Sequence, residues 1–567
     1  MSPAGPGGGA GGGASTRALV ARIAALGPEA RRAVFETLEL PASVDALLDA
    51  AAAEVPAAVA LDFFEDGVRL SYGDLVARVN RTARALEDWG VAAGSHVAVM
   101  LPNIPEFPVT WLALARLGAV MVPVNIRYTA RELDYVLRDS AAQFLIVAAG
   151  SVEVAAPVLA ALDCPVAAGQ VAVVGGPTGG FRDWAGLHGD AADTPRPGWA
   201  GRAGPDSLMN IQYTSGTTGF PKGCMLTHRY WLTSAHVNGL RDGQVFERVL
   251  APTPFFYLDP QWLMLVAFIH RGTLFVARRQ SATRFAGWLR AHRIHFCLFP
   301  EIAFKQPPHP EDAATELRRA NVYGIRKEIH AELRRRFTAP AMEAFGMTEV
   351  GPGLYMPLEH DQMVGSGSCG IAAPLREARV VDGAGREVPP GVEGELAIRG
   401  PGIFRGYWNR PDATAEAFFD EWFRTGDIFR RDAEGYFTIV GRTKDMVRRA
   451  GENIAAREVE AVMRNLPEIE DAAVLGVPDP LRGEEVMACL LPAATPDADL
   501  LERAMRHAGA ELASFKVPRY WVWMTDLPRT PSGKIAKGVL AAQRAALQAR
   551  AFDRVTGVWQ TTTEGGA

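Results

Sequence analysis

From about residue 70 onward, short β-rich runs alternate with runs whose apolar residues recur at helical spacing, and this alternation limits the fold more than any other feature. "YGDLVARVNRTARALEDWG" has the helical period and precedes the strand-like "HVAVML"; "WLALARLG" precedes "AVMVPV", and "ARELDYVLRDS" precedes "QFLIVA". Strands separated by helices build βαβ units, which predicts a mostly parallel sheet with helices on its faces. The pattern continues through "RVLAPTPFF", a helix around Trp262, "TLFVA", "RFAGWLRAHR" and "HFCLF". Past about residue 365 the texture changes to Gly-punctuated strands, "GELAIRGPGIFRGYW" and "GYFTIVGR", which predict a smaller β-rich subdomain. From Thr443 on, "AAREVEAVMRNLP", "DAAVLGV", "VMACLLP" and "DLLERAMRHAGAELASF" form a compact α+β set. The expected fold class is α/β: a large N-terminal domain of mixed, mostly parallel sheets with helices and a β-rich subdomain, then a small mobile α+β C-terminal domain. The expected boundaries are a Gly/Ala-rich flexible tail and lead-in helix over 1–40, the large domain over 41–441, the small domain over 442–545, and a tail over 546–567.

Composition narrows the partners. The 567 residues can bury large cores, and 59 Lys plus Arg against 64 Asp plus Glu leave a formal charge of −5. No global basic field advertises nucleic acid or an anionic membrane, so the expected partners are small molecules. Five cysteines without C-x-x-C spacing read as reduced and mostly buried, in a cytoplasmic protein. The most apolar stretch, "WLMLVAFIHRGTLFVA", is interrupted by His270, Arg271 and Gly272 too soon for a bilayer span. The opening "MSPAGPGGGAGGGAST" lacks the charged start and apolar core of a signal peptide.

"YTSGTTGFPKG", Tyr213 to Gly223, packs three glycines and one lysine into a loop of the kind that cradles phosphates with backbone N–H groups. It is not a Walker loop, because Pro221 takes the place of the second glycine and Lys222 is followed by Gly223 rather than Ser or Thr. Four more stretches follow in order: "FGMTE", "WFRTGD", "GRTKDMVRRAGENI" and "PRTPSGKI".

With these motifs the chain resembles, from about Leu70 to Leu540, the adenylate-forming superfamily of acyl-CoA synthetases, peptide-synthetase adenylation domains and luciferases. "APTPFFYLDPQWLM", "RAGENIAAREVE" and "ASFKVPRY" make it most similar to crotonobetaine/carnitine-type acyl-CoA ligases. The resemblance implies ATP, Mg²⁺ and coenzyme A as cofactors and a carboxylic acid as substrate; no nucleic acid and no membrane span are expected, and a homodimer is the assembly considered. It places Thr214, Ser215, Gly216, Thr217, Thr218, Gly219 and Lys222 around the β- and γ-phosphates. Glu349 would hold Mg²⁺ with help from Thr214, as a hard cation takes oxygen ligands. Phe345, with Gly346 and Met347, would face adenine, Thr348 the α-phosphate, and Gly324 the adenine edge. Asp427 would grip both ribose hydroxyls and Arg442 would support ribose or phosphate. Lys534 is the implied catalytic lysine, bridging carboxylate and α-phosphate, and Lys444 the hinge of the domain rotation.

The acid pocket is expected from 256–265, 299–304 and 351–356, with Phe256, Tyr257, Trp262 and Gly351 among its walls. These stretches are largely apolar and carry no cation, which favours a hydrophobic acid. Arg448, Ala450 and Gly451 would border the coenzyme A channel. Two positions depart from the family: Ala450 replaces the first glycine of a Gly-Gly pair, and Tyr257 replaces a histidine. The reading is therefore an ATP-dependent acyl-CoA synthetase. A stand-alone adenylate-forming enzyme with a weak coenzyme A step, and a non-catalytic acyl or nucleotide sensor, are the alternatives.

Overall fold

The computed structural model describes residues 16–560 except 177–179, 190, 215–220, 325–326, 443–444, 450–451, 498, 513 and 531–532. Three sheets organise it. One has seven strands, in the order Arg182–Asp183, Val171–Val174, Phe144–Ala148, His96–Met100, Val120–Pro123, Leu208–Thr214 and Lys222–Thr227. It is parallel up to its last pair, where Leu208–Thr214 and Lys222–Thr227 run antiparallel and bring Thr214 opposite Lys222. Thr214 and Lys222, which flank the phosphate-loop segment in sequence, thus stand opposite each other in a strand pair on the sheet's edge.

The second sheet has a parallel half through Thr273–Val276, Arg248–Ala251, Phe296–Leu298, Arg319–Val322 and Ala341–Met347. It continues without a break into an antiparallel half, Gly351–Tyr355, Ser368–Ala372, Phe437–Arg442, Trp422–Arg431, Glu393–Arg399 and Glu377–Val381. The β-rich region is therefore hydrogen-bonded to the parallel sheet through the turn that follows "FGM". That turn carries Thr348 and Glu349.

Local chemistry starts the helices where the apolar period predicts. Ser71 and Asp74 form a capping box on Tyr72–Asp88, and Thr129 with Glu132 does the same for Ala130–Asp139. Leu75, Val79, Ala83 and Leu86 then line one buried face. Helices His228–Leu240 and Leu258–Ile269 are buried almost all round and pack on each other.

The third sheet belongs to the smaller α+β body. Its strands are Glu452–Ala455, Met446–Arg449, Gly483–Pro492, Tyr520–Trp523, Phe552–Asp553 and Val558–Trp559, with Ile469–Asp479 also paired to Gly483–Pro492. Helices Ala456–Arg464 and Leu500–Glu511 cover it. The expectation of a tail from 546 needs correction: Arg544–Gln548 is helical and 552–559 adds a hairpin to this sheet. Arg519 pairs with Asp553, fastening that hairpin. At the other end Val20, Ile23 and Phe35 of the lead-in helices are buried in the main core.

Candidate active site

Glu349 is 7% exposed and sits in the turn between Ala341–Met347 and Gly351–Tyr355. The Tyr407 hydroxyl donates to its Oε1 at 2.9 Å, and the Lys222 ammonium lies 4.5 Å from the centre of the Tyr407 ring. Tyr407 is bridged to Cys224, and Trp408 N donates to Gly223 O, so the phosphate hairpin and the Glu349 turn are tied together. Burial and the Glu349 charge push the Tyr407 phenol and the Cys224 thiol well above their usual ranges. The tyrosine thus stays a donor. Thr214 Oγ1 lies 3.4 Å from Lys222 O at the hairpin base.

On the nucleoside side, the register of Trp422–Arg431 on Phe437–Arg442 sets Asp427 opposite Arg442. Asp427 is 1% exposed, and its backbone N–H donates to Thr425 Oγ1 at 3.1 Å. Phe345 meets Phe429 edge-on at 5.1 Å. Gly324 has φ +65° and its N–H donates to Glu343 Oε1 at 2.6 Å. A methyl group there would come 3.1 Å from Nη2 of Arg457, a residue of the smaller body. Gly346 and Met347 stand opposite Pro352 and Gly351, and Gly351 needs its positive φ to pass Ser234.

The acid side is built on a clamped turn. Asn103 accepts from Phe255 N, Gln212 Nε2 donates to Phe256 O at 2.8 Å, and Gln261 Nε2 donates to Phe255 O and Tyr257 O. Phe256 and Trp262 are buried, while Tyr257 is half-buried with Asn125 Nδ2 3.4 Å from its hydroxyl. Trp262 Nε1 donates to Asp259 Oδ1 at 3.3 Å. Burial pushes the Asp259 carboxyl up, and the Trp262 bond and the Lys534 charge oppose it. Lys534 itself sits on a tight turn closed by Thr530 N to Lys534 O at 2.7 Å. The smaller body therefore presents Lys534 to the acid side and Arg457 to the Gly324 edge.

Of the sequence-predicted residues, Thr214, Lys222 and Glu349 are joined through Tyr407 and the hairpin; Phe345, Gly346, Met347, Thr348 and Gly351 lie on the strand pair and turn that carry Glu349; Asp427 stands opposite Arg442; and Phe256, Tyr257 and Trp262 share the clamped turn and the helix after it, with the Lys534 charge felt at Asp259. Arg448 pairs by backbone with Asn453 in the small sheet. Ser215, Gly216, Thr217, Thr218, Gly219, Lys444, Ala450 and Gly451 lie outside the described residues. Tyr407, Asp259, Glu343 and Arg457 were not singled out by sequence. Asp259 lies inside the quoted "YLDPQW", and a carboxylate among aromatics was the signal to read.

Among the described residues no group of three His, Cys, Asp or Glu side chains could hold a resident metal ion. Mg²⁺ arriving with a triphosphate needs fewer protein ligands, commonly one or two carboxylates, and the oriented Glu349 beside a hydroxyl suits that chemistry.

Residues 48–408 match the model of the AMP-binding enzyme family, and 458–534 match the AMP-binding enzyme C-terminal domain. The chain is 34% identical over 487 residues to a feruloyl-CoA synthase of Amycolatopsis, covering 83% of this chain and 93% of that one. It is 32% identical to a crotonobetaine/carnitine–CoA ligase of Proteus mirabilis, covering 83% and 92%. The fold superposes on ATP-bound MatB from Rhodopseudomonas palustris with a TM-score of 0.78 at 26% identity, covering 89% of this chain and all of the other. The chain belongs to the AMP-binding enzyme family, as an ATP-dependent acid–thiol ligase that forms an acyl adenylate and passes the acyl group to coenzyme A.

Proposed function

We propose that this ligase activates a carboxylic acid with an apolar body, held against Phe256, Tyr257 and Trp262, and that Lys534 bridges the acid's carboxylate and the α-phosphate. The observation that carries this is the charge of Lys534 acting on Asp259: the lysine of the smaller body faces the acid side of the larger one. An ammonium placed there lowers the repulsion between two approaching anions and strengthens as charge develops in the transition state.

The remaining roles complete this reading. Glu349, held by Tyr407, takes Mg²⁺, which would neutralise phosphate charge; Thr214, Lys222 and the intervening Ser215, Gly216, Thr217, Thr218 and Gly219 receive the phosphates. Thr348 faces the α-phosphate, Asp427 and Arg442 the ribose, and Phe345 and Gly324 the adenine. Lys444, between the last strand of the large sheet and the first of the small one, is the hinge on which Arg448, Ala450 and Gly451 swing in for the thiol step. The large domain then ends near residue 441 and the small one begins at 442. The enzyme works in the cytoplasm, and a homodimer is the assembly considered for it. Among the described residues no helix is long and apolar enough to cross a membrane.

Exchange of labelled pyrophosphate into ATP, driven by a panel of acids, tests the reading. Exchange that depends on the acid supports it, and exchange with no acid of the panel overturns it.

A further inference from the structure

Two arginines come together where none was visible in the pocket stretches. Arg241, just past helix His228–Leu240, and Arg319, opening strand Arg319–Val322, are both fully buried. The Tyr355 ring lies 4.7 Å from the Arg241 guanidinium and 6.0 Å from that of Arg319. Asp242 Oδ1 accepts from Arg319 at 2.7 Å, and Asp242 Oδ2 lies 3.8 Å from Arg241 Nε. Asn321 Oδ1 accepts from both arginines, at 3.1 and 2.7 Å, and Arg319 also donates to Met356 O at 3.2 Å. Arg31 nearby is matched by Glu359, so it adds no net charge.

Two guanidiniums against one carboxylate leave an excess positive charge in the interior. Burial and the Arg319 charge pull the Arg241 guanidinium down to about 10. Arg241 Nε, Arg241 Nη1 and Arg319 Nη2 find no hydrogen-bond acceptor, whereas in this cluster Asp242 Oδ2 lacks a donor. Water would satisfy donors and acceptors alike. A surplus of donors with a net positive charge selects an anion, because each buried unpaired donor otherwise costs about 1 to 3 kcal/mol.

The cluster opens toward the acid side along two polar faces. On Arg319–Val322, Ala320 and Val322 face an apolar core, while Arg319 and Asn321 face the other way and the chain exits at Tyr323. Tyr323 keeps 46% of its surface accessible, yet burial and Asp259 push its phenol up to about 12, against the opposing effect of Arg241. Tyr323 thus stands where the charges of both Asp259 and Arg241 reach its ring, which links the acid side to the arginines. On helix His228–Leu240, Tyr230 Oη, Ser234 Oγ and Asn238 Oδ1 lack partners at steps of four residues, the spacing of one face leading to Arg241. That face runs about 16 Å from Tyr230 to Arg241 at 1.5 Å per residue. Buried polar atoms are as a rule hydrogen-bonded, so this row calls for a partner along the face.

We infer that Arg241 and Arg319 form the inner end of the acid pocket and bind an anionic group at the far end of the substrate, so that the preferred acids are α,ω-dicarboxylates or their sulfonate analogues. This rests on the ligase reading above and names its substrate class. The aromatic walls then hold the chain between two charged ends.

The test is pyrophosphate exchange with succinate, adipate, suberate and sebacate against butyrate, hexanoate, octanoate and decanoate. At the preferred length, kcat/KM for the dicarboxylate is expected to exceed that of the matched monocarboxylate at least about tenfold, the factor given by 1.4 kcal/mol. Arg319→Lys should reduce that preference with the ATP requirement unchanged. Should the variant not fold, thermal melting of the wild type decides: the preferred dicarboxylate should raise the midpoint more than its monocarboxylate, and more than sodium chloride of equal ionic strength. Monocarboxylates equal to or better than dicarboxylates overturn this inference and leave the ligase reading standing. Stabilisation by chloride alone, with no dicarboxylate preference, assigns the cluster to an inorganic anion and also overturns it. Exchange with no acid at all overturns both.

Discussion

The Tyr407 hydroxyl donates to Glu349 at 2.9 Å while the Tyr407 ring carries the Lys222 ammonium 4.5 Å from its centre, so one side chain holds both the acid and the base of the phosphate end. Partners that orient a metal-binding carboxylate commonly affect metal affinity by about 10- to 100-fold. Tyr407→Phe keeps the ring beneath Lys222 and removes only the donor. The apparent Mg²⁺ requirement in pyrophosphate exchange should rise by about tenfold with the ATP requirement at saturating Mg²⁺ little changed. An unaltered Mg²⁺ titration would take Tyr407 out of this role.

Lys534→Ala separates binding from chemistry. The ammonium reaches the acid side from an exposed turn, so its loss disturbs no core. Adenylation should fall by several orders of magnitude while ATP binding, measured by calorimetry, stays near that of the wild type, because the contact strengthens mainly in the transition state. Near-normal adenylation would remove Lys534 from the mechanism.

Asp427→Ala should act on the nucleotide instead. Charge-assisted bonds to ribose are worth about 1.5 to 3 kcal/mol, which corresponds to an ATP requirement raised roughly 10- to 100-fold. A loss confined to the coenzyme A half-reaction would contradict the assignment.

How much of this was legible beforehand follows from how local each signal is. "FGMTE" and "WFRTGD" place Glu349 and Asp427 because turn and strand fix them within a few residues of their motif. Helices such as Tyr72–Asp88 were visible from their apolar period. The unbroken sheet was not, because the join at Met347–Gly351 is a register between strands and leaves no compositional trace. Tyr407 was hidden for a similar reason: it meets Glu349 and Lys222 only through long-range strand pairing. In "GLRDG" and "LRRAN", Arg241 and Arg319 read as any surface arginine would. Only tertiary packing puts both against Tyr355.

Buried histidines give the fold an acid limit. Burial lowers His236 and His270 from the ordinary 6.5 to about 4, and each ring bonds a backbone carbonyl, of Leu232 and of Gly239. The folded state therefore binds fewer protons than the unfolded chain between those two pH values, so stability is fully present above about pH 6.5 and falls as pH drops toward 4. Each histidine contributes at most roughly 3 kcal/mol across that window. Thermal midpoints should decline steadily from pH 6.5 to 4.5, and His270→Asn should flatten part of the decline. A midpoint constant across this range would show that neither ring resists protonation.

The coenzyme A half-reaction carries the last expectation. By the family resemblance, Ala450 and Tyr257 are the two departures on the thiol side; Tyr257 is half-buried against Phe256 with Asn125 beside its hydroxyl. Burial raises the Tyr257 phenol, so it remains protonated through the working range and offers a donor rather than a titrating ring. A methyl group in a tight channel costs about 1 to 3 kcal/mol when its neighbours must shift. In rate, that is roughly fivefold to a hundredfold at room temperature. Ala450→Gly should accordingly speed thioester formation from preformed adenylate within that range and leave pyrophosphate exchange untouched, since the adenylation groups lie on other strands. Tyr257→His should also speed transfer, to a smaller degree, because the turn that carries it is held by Gln212 and Gln261 whatever the side chain, but it should shift the KM for the acid in pyrophosphate exchange as well, since the acid's body rests on that ring. Single-turnover measurements on the three proteins decide between two physical pictures. Faster transfer in the variants means that residue size at these positions limits the passage of the thiol; equal and fast transfer in all three means that the channel already accommodates the methyl group and the phenol, and that another step sets the rate.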